Sequence, residues 1–391
     1  MPAPRKFPRF PRRTLWLILG GAGTGGLLLQ AQGPAVGRPP VVAGALTCAT
    51  SGCHGGADDR SDQYALWSER DVHSRSSATL VTARAARMGE ALGIADPGAS
   101  ARCTICHEPM KAVGPGLLAA DAVPTEGVSC TSCHGLPESW LRSHTRPDWT
   151  HADRVAAGLR DLDDLYVRAN TCVACHQDLA PDLVAVGRHP ALTFELDGQA
   201  RSEPPHWRER PGTGPQAWFV GQAVALREMS AALARPGGDS AIDAARWQGL
   251  LWVLRQAAPA GGGTALEPLS AATAATAPET AVAAADGLAR SAARAWPAED
   301  PALLLRRLAG TAAEFLTPGV PALVQACRGE RLVLGLDRLL AALPSDRRPP
   351  GASAQLDRLF QLVQSRPDFS APDFARALDA FSRTVGPSSG R

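Results

Sequence analysis

The chain has 391 residues, enough for two or three domains, and only 5 % of them are aromatic, which is little for a core of that size. Its formal net charge is +2 at pH 7, but residues 1–31 hold five basic and no acidic side chains, so the rest of the chain carries −3. A weakly acidic protein is a poor partner for nucleic acid or for an anionic membrane surface.

The N-terminal segment predicts export. Its five basic side chains all precede an apolar, glycine-rich run, Thr14–Leu29, and small residues near position 31 suit a cleavage site. We therefore predict a signal peptide or N-terminal anchor over residues 1–31 and a linker over 32–45. The run is too short for a stable membrane span and is interrupted by glycines. Both features favour a cleaved signal over a membrane tether. The predicted location is the periplasm or the extracytoplasmic face of the membrane.

Residues 48–206 contain eight of the nine cysteines, arranged as four pairs that are each closed by a histidine. Three sets read Cys-x-x-Cys-His, and the first set has four residues between its cysteines instead of two. The sets are Cys48, Cys53 and His54; Cys103, Cys106 and His107; Cys130, Cys133 and His134; and Cys172, Cys175 and His176.

This pattern predicts covalently attached haem. Two thiols add to the vinyl groups of the porphyrin, and the adjacent histidine becomes the proximal ligand of the iron. A zinc ribbon needs two cysteine pairs around one ion, and a disulfide framework needs only an even number of cysteines. Neither alternative explains a histidine after every pair. We predict four haem c groups, with proximal ligands His54, His107, His134 and His176.

Five further histidines remain, and all of them lie within the haem-binding stretch. Ligation of each of four irons by two histidines requires four more imidazoles. We predict His73, His144, His189 and His206 as the distal ligands. His151 lies in a polar Trp-Thr-His-Ala-Asp turn and is the least suited of the five.

The predicted fold is mostly α with little regular strand. A tetrahaem cytochrome c domain organised around stacked haems is expected at residues 46–210, and Ser61–Glu90 within it reads as helix. An all-α C-terminal region is expected at 213–385, with a low-complexity linker at about 259–277. No histidine follows His206 and only Cys327 remains, so this region is predicted to hold no cofactor and Cys327 to be a buried apolar residue.

At these motifs the sequence resembles multihaem cytochromes of the cytochrome c-554 family, especially large secreted members. The matching stretches run over roughly residues 45–210 and include Cys48–Gly56, Trp67–His73, Gly127–Gly135, Trp140–His144, Cys172–His176, Gly187–Pro190 and Pro205–Trp207. The resemblance implies closely packed haems, mostly with two histidine ligands, and an extracytoplasmic role in electron transfer. Relatives of this shape can carry a further Cys-x-x-Cys-His in the C-terminal half, and this chain has none.

These features predict an electron carrier rather than an enzyme. Two histidines on each iron leave no position for a substrate, so the expected partners are redox proteins, either a quinol-oxidising donor in the membrane or a soluble acceptor. The first alternative is an oxidoreductase in which one five-coordinate haem acts on a small nitrogen or sulfur compound. The second is a helical scaffold attached to a redox module.

Overall fold

The structure is a computed structural model that describes residues 41–386 except 178, 208–211, 236–239, 260–263, 298–299 and 365. Over these residues it is helical and contains no β-strand, and the pairing of Val42 with Leu118 is an isolated bridge. The predicted mostly-α fold is therefore confirmed. The predicted signal segment and most of the linker after it lie outside the described residues.

The cysteine-rich part of the chain consists of short helices joined by turns. They are α1 (Gln63–Glu69), α2 (Ala83–Leu92), α3 (Ala101–His107), α4 (Cys130–His134), α5 (His151–Ala156), α6 (Leu165–His176), α7 (Pro181–Ala185) and α8 (Leu196–Ser202). Helices this short are not stable by themselves, so their stability must come from tertiary packing.

The prediction of a single helix over Ser61–Glu90 is wrong. The chain leaves α1 at Arg70, passes through two 3-10 turns, Val72–Arg75 and Ser77–Val81, and enters α2 only at Ala83. The Asp71 carboxylate caps the first turn by accepting from the His73 amide, and the Thr82 hydroxyl caps α2. These local caps outcompete a continuous helix because each satisfies amides that a helix start leaves free.

The C-terminal part consists of longer helices. They are α9 (Gly214–Leu233), α10 (Ala241–Ala257), α11 (Ala271–Thr276), α12 (Pro278–Arg294), α13 (Pro301–Ala309), α14 (Ala322–Ala342), α15 (Ala352–Val363) and α16 (Ala371–Val385). Asp300 caps α13 with Pro301 at its first position, and Ser370 caps α16 by accepting from the Asp373 amide. Both starts follow the preferences for oxygen-bearing caps and for proline in the first turn.

Helix α9 lies at the centre of the C-terminal core and packs against α10, α12 and α14. Trp218 and Trp247 are fully buried there, and the Trp247 indole donates to the Ser230 hydroxyl at 2.8 Å. Helices α10 and α14 approach closely because Gly249 faces the backbone of Cys327, where a Cβ would lie 2.7 Å from the carbonyl carbon. Cys327 is 1 % exposed, so its predicted burial is confirmed.

Helix α6, which carries the last Cys-x-x-Cys-His set, shares this core. Leu165, Ala169 and Val173 are buried in the same hydrophobic cluster as α9, and the Gln177 side-chain amide donates to the Ala225 carbonyl at 2.8 Å. The stretch expected to be a linker contributes as well, because Leu266 and Leu269 are buried in this cluster. The division into domains at 46–210 and 213–385 remains a prediction.

Candidate haem site

Three of the four cysteine sets lie on short helices. α3, α4 and the end of α6 each place the two cysteines three residues apart and the histidine at the last position. Residues three apart lie on one face of an α-helix, so both thiols of a set point to the same side. This is the geometry that attachment of one porphyrin through two vinyl groups needs.

The wide first set reaches a similar geometry by a turn. Cys48 ends a 3-10 turn, and the His54 amide donates back to the Cys48 carbonyl at 3.1 Å. The Cys53 amide donates to Thr50 at 2.8 Å, which loops the two extra residues outward. The backbone thus brings His54 back beside Cys48 despite the longer spacing.

Each predicted proximal histidine faces one predicted distal histidine. The ring centres are 6.1 Å apart for His54 and His144, 5.9 Å for His73 and His176, 6.4 Å for His107 and His189, and 6.3 Å for His134 and His206. Two imidazoles bound to one metal through bonds of about 2 Å have ring centres roughly 6 Å apart. All four separations therefore suit one iron between two rings.

Hydrogen bonds at Nδ1 orient five of these eight rings. His54 bonds to Gln63 Oε1 at 2.8 Å and His107 to Thr79 Oγ1 at 2.9 Å. His73 bonds to Asp71 Oδ1 at 2.9 Å, His144 to the Leu141 carbonyl at 2.6 Å, and His189 to the Pro190 carbonyl at 2.9 Å. A partner at Nδ1 fixes the tautomer and leaves Nε2 free as the ligand atom.

The eight paired histidines and eight motif cysteines line one continuous cavity of about 2020 Å³. Ordinary small-molecule pockets measure about 300–1,000 Å³, so this space suits several large groups. Tyr64, Trp67, Leu80, Met88 and Trp140 contribute apolar walls. The donor set, the ring spacing and the size of the cavity all fit haem c.

Burial keeps several of these imidazoles neutral. It lowers the pKa of His134 to about 4 and also lowers the pKa values of His107, His176 and His206. A histidine must be neutral to bind a metal, so this environment favours ligation. His73 differs, because its hydrogen bond to Asp71 raises its pKa.

His151 belongs to none of the four pairs. It lies at the start of α5, and its Nε2 contacts Asp161 Oδ1 at 3.0 Å. Its side chain is half exposed, unlike the rings that face one another across the cavity.

Thiols of different sets lie against one another and define a spatial order. Cys48 is hydrogen-bonded to Cys130, which lowers the pKa of Cys48, and Cys106 is hydrogen-bonded to Cys175, which lowers the pKa of Cys106 to about 7. Burial raises the pKa of Cys172, and the nearby Cys133 thiol raises it further. The second set is therefore next to the fourth and the first next to the third, and the fourth and third sets lie within electrostatic range of each other.

The partners of the ring nitrogens were not predicted from the sequence. The side chains of three residues hydrogen-bond to ring Nδ1 atoms: Gln63 to His54, Asp71 to His73 and Thr79 to His107. Asp71 lies two residues before its histidine, a spacing that could have drawn notice as a local cap. Gln63 and Thr79 carry no signal of their own, because their role depends on how the chain folds back.

The family model described as cytochrome c554 and c-prime matches residues 47–135. The match includes the first three cysteine sets and His73. This match supports a multihaem cytochrome of the cytochrome c-554 family. Such cytochromes carry covalently bound haem c and take part in electron transfer.

No curated protein and no solved structure was found to match the chain. Cytochromes c are typically exported. Across the residues that the structure describes, no helix has both the length and the apolar character needed to cross a bilayer.

Proposed function

We propose that the protein is an extracytoplasmic tetrahaem cytochrome c that carries electrons between redox partners. The observation that carries this proposal is the set of four facing histidine pairs, each about 6 Å between ring centres. A haem with two histidine ligands is a one-electron centre without an open position for a substrate.

In this proposal each cysteine set holds one haem, and each haem has one proximal and one distal histidine. The eight motif cysteines hold the haems, and His54, His107, His134 and His176 are the proximal ligands. His144, His189, His206 and His73, in that order, are their distal ligands. The facing rings, with centres 5.9–6.4 Å apart, support this pairing.

The contacts between cysteine sets support a continuous row of redox centres. Cys106 of the second set bonds to Cys175 of the fourth, and Cys48 of the first set bonds to Cys130 of the third. Cys172 of the fourth set lies within electrostatic range of Cys133 of the third. These neighbours would order the haems as second, fourth, third and first, with the second and first at the two ends. Such an arrangement suits transport between two partners that dock at different ends.

We propose redox proteins as these partners, either a quinol-oxidising donor in the membrane or a soluble acceptor. Residues 1–31 would direct the chain to the periplasm or to the outer face of the membrane. Four haems bring the mature oxidised protein to a net charge of roughly −7, which disfavours nucleic acid as a partner. Residues 213–385 would form the helical region that supports the last haem site.

The proposal is tested by the haem content and spin state of the exported protein. Mass spectrometry should show four haem masses added to the processed polypeptide. Optical spectra should show low-spin haem only, and the reduced protein should not bind carbon monoxide. Three haem masses would remove the Cys48–Cys53 set from the proposal.

A high-spin haem that binds carbon monoxide in the wild-type protein would overturn the carrier assignment. The reading would then move to an oxidoreductase with one five-coordinate haem that acts on a small nitrogen or sulfur compound. His206 would then be the first distal ligand to withdraw.

A further inference from the structure

Asp71 is a buried carboxylate that makes two hydrogen bonds to one ligand residue. It is 4 % exposed, and its Oδ1 lies 2.9 Å from both the amide nitrogen and the ring Nδ1 of His73. The backbone bond holds the 3-10 turn that carries His73, and the ring bond fixes the imidazole. Glu203 adds a second carboxylate, 3.8 Å from the same Nδ1.

The other oriented rings have neutral partners. Nδ1 of His54 meets an amide oxygen, that of His107 a hydroxyl, and those of His144 and His189 backbone carbonyls. Of the five rings that these bonds orient, His73 alone is held by a carboxylate. The difference is chemical rather than geometric, because the five distances are similar.

We propose that Asp71 is a positioning residue that lowers the reduction potential of the haem ligated by His73 and His176. A carboxylate that accepts from Nδ1 raises the basicity of the imidazole and of its other nitrogen. A more basic ligand stabilises ferric iron more than ferrous iron. The nearby negative charge acts in the same direction, since it favours the more positive oxidation state. This inference rests on the proposed function.

Two conservative substitutions separate this role from a purely structural one. Asp71→Asn keeps an oxygen that can cap the turn and accept from Nδ1, but it removes the charge. Gln63→Glu does the reverse at His54, because it replaces the neutral amide 2.8 Å from Nδ1 with a carboxylate of the same shape. The two variants should therefore shift two different haems in opposite directions.

The experiment is a potentiometric measurement on the full-length protein after its haem content has been established. Asp71→Asn should raise one of the four midpoint potentials, so that at a fixed potential the ratio of reduced to oxidised haem rises about tenfold, which corresponds to about 59 mV for one electron. Gln63→Glu should lower a different potential. The spectra of both variants should remain low-spin.

Unchanged potentials in an Asp71→Asn protein with four low-spin haems would overturn this inference and leave the proposed function intact. If Asp71→Asn does not fold, an unchanged or raised potential in Gln63→Glu would overturn it as well. A wild-type protein without a haem at the Cys172–Cys175 set would instead refute the proposed function and this inference with it.

Discussion

The imidazole planes of His54 and His144 lie 14° apart, so these two rings are nearly parallel. The other three facing pairs are close to perpendicular, at 75° for His73 and His176, 64° for His107 and His189, and 68° for His134 and His206. The pair that differs belongs to the wide cysteine set. The orientation of the axial imidazole planes determines how far the iron d orbitals split, so the haem of the first set should differ electronically from the other three.

We expect electron paramagnetic resonance of the oxidised protein to show this difference. Parallel imidazoles give a rhombic low-spin signal, whereas perpendicular imidazoles give signals with a large maximal g value. The spectrum should contain one haem of the first kind and three of the second. Substitution His144→Ala should remove the rhombic signal alone. Loss of a large-g signal instead would show that His144 ligates a different haem.

The distal role of His189 is tested by comparison with His151. His189→Ala should convert one of four haems to high spin and open it to carbon monoxide, because the ring 6.4 Å from His107 is removed. His151→Ala is the matched control, since its ring contacts Asp161 and faces no other histidine. Optical and carbon monoxide difference spectra measure both. A change in spin state in the His151 variant would contradict the assignment.

The cysteine sets were predictable from the sequence because their chemistry is local. Thiols three residues apart and the next histidine share one helical turn, whatever the rest of the chain does. Which distal histidine faces which proximal one could not be predicted. His73 precedes its partner His176 by about a hundred residues, so the pairing exists only after the chain has folded back.

The fold was predictable in class but not in its connections. Helical spacing of apolar residues indicated the C-terminal helices, and Asp300 and Ser370 marked two of their starts. The helix predicted through His73 failed because the caps at Asp71 and Thr82 act over only a few residues. Helices α6 and α9 share one core. That contact depends on long-range packing, which the spacing of apolar residues along the sequence does not predict.

The link between α6 and the C-terminal helices should make unfolding cooperative. The Tyr166 hydroxyl donates to Asp286 at 2.6 Å, and Arg227 donates to Asp286 at 2.8 Å and to Asn170 at 2.6 Å. Burial alone would raise the pKa of Asp286, but the bonds from Tyr166, Arg290 and Arg227 lower it to about 2. The carboxylate is therefore ionised at neutral pH and firmly paired.

Tyr166→Phe should lower the free energy of unfolding by about 2 kcal/mol, because the hydroxyl loses the bond that it donates to Asp286 and the bond that it accepts from Arg227. The transition should be the same by far-ultraviolet circular dichroism and by haem absorbance, since α6 and α9 share a core. Tyr64→Phe is the matched control, because the Tyr64 hydroxyl makes no hydrogen bond to any of the residues that the structure describes. Two separate transitions in the wild-type protein would instead support independent domains at 46–210 and 213–385.

Glu195 should make stability depend on pH. It is the N-cap of α8, where it accepts from the amides of Asp197 and Gly198, and it is 8 % exposed. Burial raises its pKa from 4.5 to about 7, although the amides and the nearby Arg338 favour the charged form. Between pH 4.5 and 7 the unfolded chain loses this proton while the folded chain keeps it. The free energy of unfolding therefore falls as pH rises through this window, by about 3 kcal/mol.

Glu195→Gln should remove this dependence, because the amide resembles the protonated carboxyl and does not titrate. Relative to the wild type, the variant should gain stability between pH 5 and pH 8, measured by chemical unfolding at each pH. Glu279→Gln, on the exposed first turn of α12, controls for the loss of one negative charge. If the difference between wild type and Glu195→Gln is the same at both pH values, the carboxyl is already ionised in the folded protein at pH 5, and the two amides and Arg338 outweigh its burial.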